Sequence, residues 1–291
     1  MIKISTPISY ELPDALEDYL CGLELSNWSI DKENNSNPPE LVGYFEKRED
    51  AEKSYAGLCE VFDTLPKDFK IEEILDSDWQ NEYKKYLTSW SCKNLHWVPV
   101  WDKPNYKVPE GDKVFYFDAG LAFGTGDHPT TRLCAIRMLD YIASVGDVSN
   151  KKLIDAGCGS GILAISAKLL GFGEVYAFDR DDEAIRVSLE NEAFNGLKSG
   201  AIEFKHAGIS DGLAGRTCDI MLANIQADIL EIYAKELISA VSPKGALVLS
   251  GILAIENAEL KAHFLKIGGE KIASCEAAFM GEWSDLLIKM A

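Results

Sequence analysis

Two carboxylates and three glycines are the residues of this chain best placed to do chemistry. Residues 155–161 read Asp-Ala-Gly-Cys-Gly-Ser-Gly, directly after Lys152-Leu-Ile and directly before the apolar run Ile162-Leu-Ala-Ile. That order predicts a strand, a tight turn and a helix start, with Asp155 at the strand's end. Gly157, Gly159 and Gly161 tolerate positive φ and let a ligand approach the backbone closely. A second acid, Asp179, closes the next apolar run, Val175-Tyr-Ala-Phe. It stands about 20 residues beyond the turn, where a carboxylate would hold the hydroxyl pair of a ribose. The pattern describes a pocket for a nucleoside-containing cofactor.

The glycine spacing separates two cofactor classes. A dinucleotide fingerprint is G-x-G-x-x-G, whose last glycine would fall where this chain has Ile162. Here the spacing is G-x-G-x-G, and an acid sits two residues before the first glycine. A pyrophosphate would be unwelcome beside Asp155. S-adenosylmethionine carries no phosphate, and its positive sulfonium and α-amino groups suit a nearby carboxylate. Two other readings stay open at this point: a nicotinamide-dependent oxidoreductase, and an acidic adaptor that keeps a degenerate pocket. Which ligand binds would separate all three.

Two further segments could complete such a pocket. The first is Asp118-Ala-Gly-Leu-Ala-Phe-Gly-Thr-Gly-Asp-His-Pro-Thr-Thr131, a glycine-rich loop. It leads into a helix that starts at Pro129 and is capped by Asp127 or His128. It could close over the cofactor and offer a threonine hydroxyl. His128 has no second histidine within ligand spacing, so hydrogen bonding within the loop is its expected role and no metal site is expected. The second segment is Asp219-Ile-Met-Leu-Ala-Asn-Ile-Gln226, a strand ending in Asn224 at the sheet edge where ligands bind. No residue in either segment identifies itself as a general base.

The elements that position these residues fall into two rhythms. Residues 1–75 read β-α-β-β-α-β: strands at 2–8, 28–30, 41–45 and 69–75, and amphipathic helices through Leu12–Leu23 and Ala51–Leu65. That order is a ferredoxin-like α+β domain. Residues 76–117 read as a bridge, with a short helix from Trp79 and an aromatic stretch at Trp97–Trp101. From 118 to 291 strands and helices alternate, with strands expected at 152–156, 174–179, 201–206, 218–224, 245–250, 270–280 and 284–290, and one helix at 227–241. Such alternation builds an α/β, Rossmann-like, seven-stranded sheet covered on both faces.

Composition narrows the partners. The chain has 291 residues and a net charge of −18, which disfavours gripping nucleic acid through phosphates. Residues 1–90 alone hold 9 Lys and Arg against 20 Asp and Glu, a net of −11. That is either a solvated acidic face or a docking surface for a basic macromolecule. The seven cysteines are scattered without a C-x-x-C pair, as expected of reduced thiols in a cytoplasmic protein. No run approaches the length of a membrane span.

The motifs together resemble a known family. Phe123-Gly-Thr-Gly-Asp-His-Pro-Thr-Thr131, the 155–163 turn, Asn224-Ile225 and Leu249-Ser-Gly-Ile-Leu253 occur in one chain. So do Trp79-x-x-Glu82-x-Lys84 and Glu282-Trp283. This set is similar to the PrmA family of bacterial methyltransferases, which act on the eleventh protein of the large ribosomal subunit. The resemblance implies a protein N-methyltransferase that modifies lysine and/or N-terminal α-amino groups; the alternative is a methyltransferase of another protein or of a small-molecule amine. It implies S-adenosylmethionine contacts at Thr131, Gly157, Gly159, Asp179 and Asn224, and recognition of a basic ribosomal protein by the N-terminal domain. Departures from the family pattern are Ala119, Asp127, Gln226 and Tyr83; Gln226 and Asp127 bear on the acceptor entrance.

Overall fold

The computed structural model describes residues 2–10, 12–13, 16, 19–20, 27–31, 38–62, 64–73, 88–118 and 128–291. They fall into two compact units, residues 1–86 and 87–291. The expected bridge helix from Trp79 and the loop at 119–127 lie outside the described residues, as do the family departures at Tyr83, Ala119 and Asp127.

The first unit is a four-stranded antiparallel sheet in the order β2-β3-β1-β4. Its strands are β1 (Ile2–Pro7), β2 (Trp28–Asp31), β3 (Glu40–Phe45) and β4 (Lys70–Glu73). Helix α1 (Arg48–Val61) follows β3. It sends Ala51, Tyr55 and Leu58 into one apolar core with Ile4, Trp28, Leu41 and Phe45. Leu16 and Leu20, at helical positions between β1 and β2, join the same core. Gly43 is required there, because a Cβ on it would sit 2.7 Å from the Trp28 ring. The sheet order and the two helical segments on one face are those of the expected ferredoxin-like fold.

The second unit is built on seven strands. They are β8 (Lys152–Ala156), β9 (Glu174–Asp179), β10 (Glu203–His206), β11 (Cys218–Asn224), β12 (Val241–Leu253), β13 (Ile272–Met280) and β14 (Trp283–Met290). Their order is β10-β9-β8-β11-β12-β14-β13, with β14 antiparallel to both neighbours. Ile220, Met221 and Leu222 of β11 are wholly buried. Each contributes about 1.5–3 kcal/mol by burial, which is why a continuous apolar run rather than an alternating one marks a central parallel strand. Helices α2 (Pro129–Val145), α3 (Ile162–Leu169), α4 (Asp182–Phe194), α5 (Ile209–Leu213), α6 (Ala227–Ile232), α7 (Ala234–Ser239) and α8 (Asn257–Gly268) connect or flank the strands.

Two details differ from the sequence reading. The single helix expected at 227–241 is two, because Tyr233 leaves helical geometry at φ −101° and ψ 16°. The break keeps Leu230 on one piece and Ala234, Leu237 and Ile238 on the other within the same core. Strand β12 begins at Val241, opposite Cys218, and carries an irregularity before Ala246 takes up regular pairing. Residues 90–117 are part of the second unit. Strands β5 (Trp90–Cys92), β6 (Leu95–Pro99) and β7 (Lys113–Phe117) form a small sheet of their own. It is tied to α3 by a 2.9 Å bond from Trp97 Nε1 to Ser166 Oγ. Tryptophans 90 and 97 stack at 3.8 Å, so they are packing residues, as their type suggests.

Candidate active site

A cleft of about 560 Å³ opens at the carboxyl ends of the central strands. The strand order reverses there between β8 and β11, the place where open α/β sheets bind ligands. One flank consists of Gly157, Gly159, Phe178, Asp179, Arg180 and the Ala207–Ile209 segment. The facing flank consists of His128, Thr130, Asn224, Gln226, Gly251 and Trp283, with Ile225 and Ile229 between. The volume lies in the range of small-molecule sites.

The glycine turn is locked from two sides. Gly157 has φ +74°, and a Cβ on it would come 2.5 Å from Ile225 Cγ2. The N–H groups of Gly157 and Cys158 both donate to the Phe178 carbonyl, at 2.9 and 3.1 Å. From the other side α4 grips the turn: Ser188 Oγ donates to Gly159 O and Asn191 Nδ2 to Ser160 O, each at 2.9 Å. Asn195, at the end of α4, exchanges bonds of 2.8 and 2.7 Å with the N–H and carbonyl of Tyr116 in β7. These three residues belong to none of the motifs above. The signal that could have found them is three polar side chains at helix spacing on the face that also carries buried Ala184 and Val187.

The two acids take different positions. Asp179 lines the cleft, its Oδ2 accepting from Gly159 N at 2.9 Å and its Oδ1 from Asp181 N at 3.0 Å. Each oxygen keeps a lone pair for a hydroxyl donor. Asp155 does not line the cleft, although its type suggested that it would face the ligand. It is buried behind the turn, 1% exposed, because its place on β8 directs it at the start of α3. There Oδ2 accepts from Ala164 N at 3.0 Å, while Oδ1 has no hydrogen-bond partner among the described residues. Burial pushes its carboxyl up to about 7; the nearby Asp179 adds to the rise, and the Ala164 N–H offsets part of it. Asp155 therefore occupies the helix N-terminus that a pyrophosphate would need.

Asn224 and the two threonines form one construction. Asn224 ends β11 at the cleft, and its Nδ2 donates to Thr131 Oγ1 at 3.3 Å. Thr131 itself is buried behind the wall rather than in it. Thr130 lines the cleft; its carbonyl accepts from Ser250 Oγ at 3.0 Å, which fixes α2 to β12. His128 is the N-cap of α2, its Nδ1 lying 2.7 Å from Thr130 Oγ1 and 3.4 Å from Thr130 N. That is the within-loop role expected of it. Gln226 stands at the cleft wall as the N-cap position of α6, with no side-chain cap bond. Among the described residues no group of three His, Cys, Asp or Glu could hold a metal ion.

The Trp283 flank rests on a buried ion pair. Arg137 of α2 grips Asp285 of β14 through Nε–Oδ2 at 2.7 Å and Nη2–Oδ1 at 2.9 Å. Asp285 is fully buried and its Oδ1 also accepts from Ala278 N at 2.7 Å. Asn257 Nδ2 donates to Ser284 Oγ at 2.8 Å and to the Asp285 carbonyl at 3.0 Å. The carboxylate holds the guanidinium above its ordinary pKa.

Comparison with known proteins agrees with this geometry. The model of the family described as ribosomal protein L11 methyltransferase (PrmA) matches residues 16–290. A ribosomal protein L11 methyltransferase of Myxococcus xanthus is 32% identical, over 97% of this chain and 96% of that protein. One from Geobacter metallireducens is 30% identical over 99% and 98%. The crystal structure of a ribosomal protein L11 methylase from Lactobacillus delbrueckii subsp. bulgaricus superimposes with a TM-score of 0.60 at 29% identity. It covers 68% of this chain and 96% of that one. The α/β unit has the fold of the S-adenosylmethionine-dependent methyltransferases, and the chain belongs to the ribosomal protein L11 methyltransferase (PrmA) family.

Proposed function

We propose that this protein transfers methyl groups from S-adenosylmethionine to amino groups of ribosomal protein L11, on lysine and/or the N-terminal α-amine. The observation that carries the cofactor half of this reading is the pair of acids at the turn. Asp179 sits at the cleft where ribose hydroxyls need acceptors, while Asp155 takes the α3 N-terminus and leaves no place for a pyrophosphate. The apolar Phe178, Ala207 and Ile209 suit a purine face, and the residues present therefore fit S-adenosylmethionine.

On this reading Gly157 and Gly159 give the ligand access to the backbone, Asp179 holds the ribose, and Asn224 orients the reacting end. Thr131 acts through Asn224, fixing its amide. S-adenosylmethionine supplies an electrophilic methyl: the acceptor nitrogen's lone pair takes it, the broken S–C bond's electron pair stays on sulfur, and the amine's proton passes to water. The protein contributes position and exclusion of water rather than covalent help. An α-amino group, at a pKa of about 7.7–8.0, sheds its proton more readily than lysine at about 10.4.

Residues 1–75 we read as the docking surface for L11, a basic protein attracted by the acidic field of this segment. The reaction then belongs to the cytoplasm; among the described residues no helix is long and apolar enough to cross a membrane. Calorimetry with S-adenosylmethionine and with NADH, followed by mass spectrometry of L11 incubated with enzyme and methyl donor, tests the reading. Binding of the methyl donor alone and a mass gain on L11 are expected. Binding of NADH, or an unmodified L11, would overturn it.

A further inference from the structure

The facing flank of the cleft has a chemistry of its own. His128, Ile225, Gln226, Ile229 and Trp283 give it apolar, aromatic and neutral polar surface. The one carboxylate among the described lining residues is Asp179, on the opposite flank. A cation entering beside Trp283 therefore meets no counter-ion among the described residues of that wall. What it meets is an indole, the side chain whose ring face attracts ammonium groups most strongly.

The indole is held rather than loose. Trp283 opens β14, paired with Leu253 of β12 and Met280 of β13. His128 packs against it edge-to-face, with ring centroids 4.8 Å apart at 68°. The imidazole is itself tied to Thr130 at 2.7 Å. Two residues along the same strand, Asp285 is clamped to α2 by the Arg137 fork. The start of β14 is thus fixed to the same helix whose N-cap touches the indole. Acidic side chains adjoin this mouth in sequence: Glu282 next to Trp283 and Asp228 next to Ile229, both exposed. They would draw a cation inward without supplying a carboxylate to the wall.

We propose that Trp283, braced by His128, is the acceptor-side wall of the site and holds the amine-bearing side chain of the substrate by a cation–π contact. It is a specificity-determining residue for primary and methylated ammonium groups. The proposal rests on the methyltransferase reading above. Its role continues after each transfer, because a methylated ammonium remains a cation that an aromatic face still attracts.

Two measurements test it. In steady-state kinetics with L11, Trp283→Ala should raise KM for L11 roughly 3- to 30-fold, and Trp283→Phe should fall between it and the wild type. Affinity of both variants for S-adenosylmethionine, read by calorimetry, should stay within about twofold of wild type, since the indole is on the far flank. An unchanged KM in folded Trp283→Ala, or an equal loss of cofactor affinity, overturns the proposal. The second measurement does not depend on L11 being the substrate. The Trp283 indole N–H resonance, assigned by its absence in Trp283→Phe, is followed while N-acetyl-trimethyllysine amide is added to protein saturated with S-adenosylhomocysteine. The resonance should shift with this cation and stay put with the neutral norleucine analogue at equal concentration. No shift, or equal shifts, refutes the cation–π contact. Should L11 prove unmodified while the resonance shifts, the substrate assignment fails and the Trp283 site stands.

Discussion

Each flank of the cleft leans on a buried carboxylate, and the two are satisfied in opposite ways. Asp285, behind the Trp283 flank, is matched by both arms of the Arg137 guanidinium and by the Ala278 N–H. Asp155, behind the glycine turn, has one backbone donor and an oxygen with no partner among the described residues. A fully bonded charge pair is rigid and costly to disturb; a half-bonded carboxylate in the same dry interior gives up its charge instead. One flank is therefore a fixed wall, while the other rests on a group whose proton content changes near neutral pH.

The largest effect expected at a fixed pH is on the fixed wall. Asp285→Ala strips the largely buried Arg137 guanidinium of its bonded partner, leaving only the more distant Glu276 and Asp140, and should cost about 3 kcal/mol of stability. Replacing both partners, Arg137→Met with Asp285→Leu, should recover most of that loss, because matched apolar groups need no bonds. Urea unfolding of the three proteins decides it. A double variant as unstable as the single one would show that the pair does more than cancel its own charges.

Asp155 should respond to pH instead. Its folded-state pKa, about 7, lies above the ordinary carboxylate value. The native state thus binds more protons than the unfolded chain between about pH 4 and pH 7. Its contribution is fully present below about pH 4 and is lost as pH rises through 7, a change of up to about 4 kcal/mol. Asp155→Asn cannot titrate. The stability of this variant relative to wild type should rise across that window and be flat on either side. A difference that does not vary with pH would remove the contrast between the two flanks.

The contrast also explains what could be read from the sequence. The glycine turn, Asp155 and Asp179 lie within 25 residues, and local spacing carries their geometry. Strands 152–156, 174–179 and 218–224 are legible because each is an apolar run with a polar residue at or next to its carboxyl end. The wall around Trp283 gathers residues 128, 130, 224–226, 229, 251 and 283, and its brace joins positions 148 apart. No local pattern announces such a pairing. Asp155 shows the opposite limit: its presence at the strand end was plain, but the direction of its side chain depended on the α3 N–H that receives it. Ser188, Asn191 and Asn195 bond to backbone, so their partners have no side-chain type to recognise.

On the cofactor flank the effect is intermediate. Asp179→Ala removes a charge-assisted acceptor and should weaken S-adenosylmethionine binding by about 1.5–3 kcal/mol, without unfolding the protein. Asn224→Ala, which loses a neutral amide, should cost about 0.5–1.5 kcal/mol. Calorimetry on folded variants measures both. Equal affinities for wild type and Asp179→Ala would dissociate this flank from the ribose and leave the glycine turn without its ligand.

The smallest effect separates the cleft from the acidic segment proposed to bring substrate to it. Residues 1–90 carry a net charge of −11, and L11 as a basic protein would be steered toward that field. Salt screens charges over about 10 Å at 0.1 M, and screening acts most strongly between exposed groups. Raising salt from about 0.05 to 0.3 M should therefore lower kcat/KM for L11 several-fold, with kcat nearly unchanged, because encounter rather than chemistry is slowed. Cofactor affinity should barely move over the same range, since Asp179 is already held by two backbone donors and lies within the cleft rather than on the open surface. Charge reversal at exposed acids of α1, Glu49→Lys with Glu60→Lys, should mimic the salt effect at low ionic strength and blunt it at high. A kcat/KM that ignores both salt and charge reversal would mean that the acidic segment is only a solvated face.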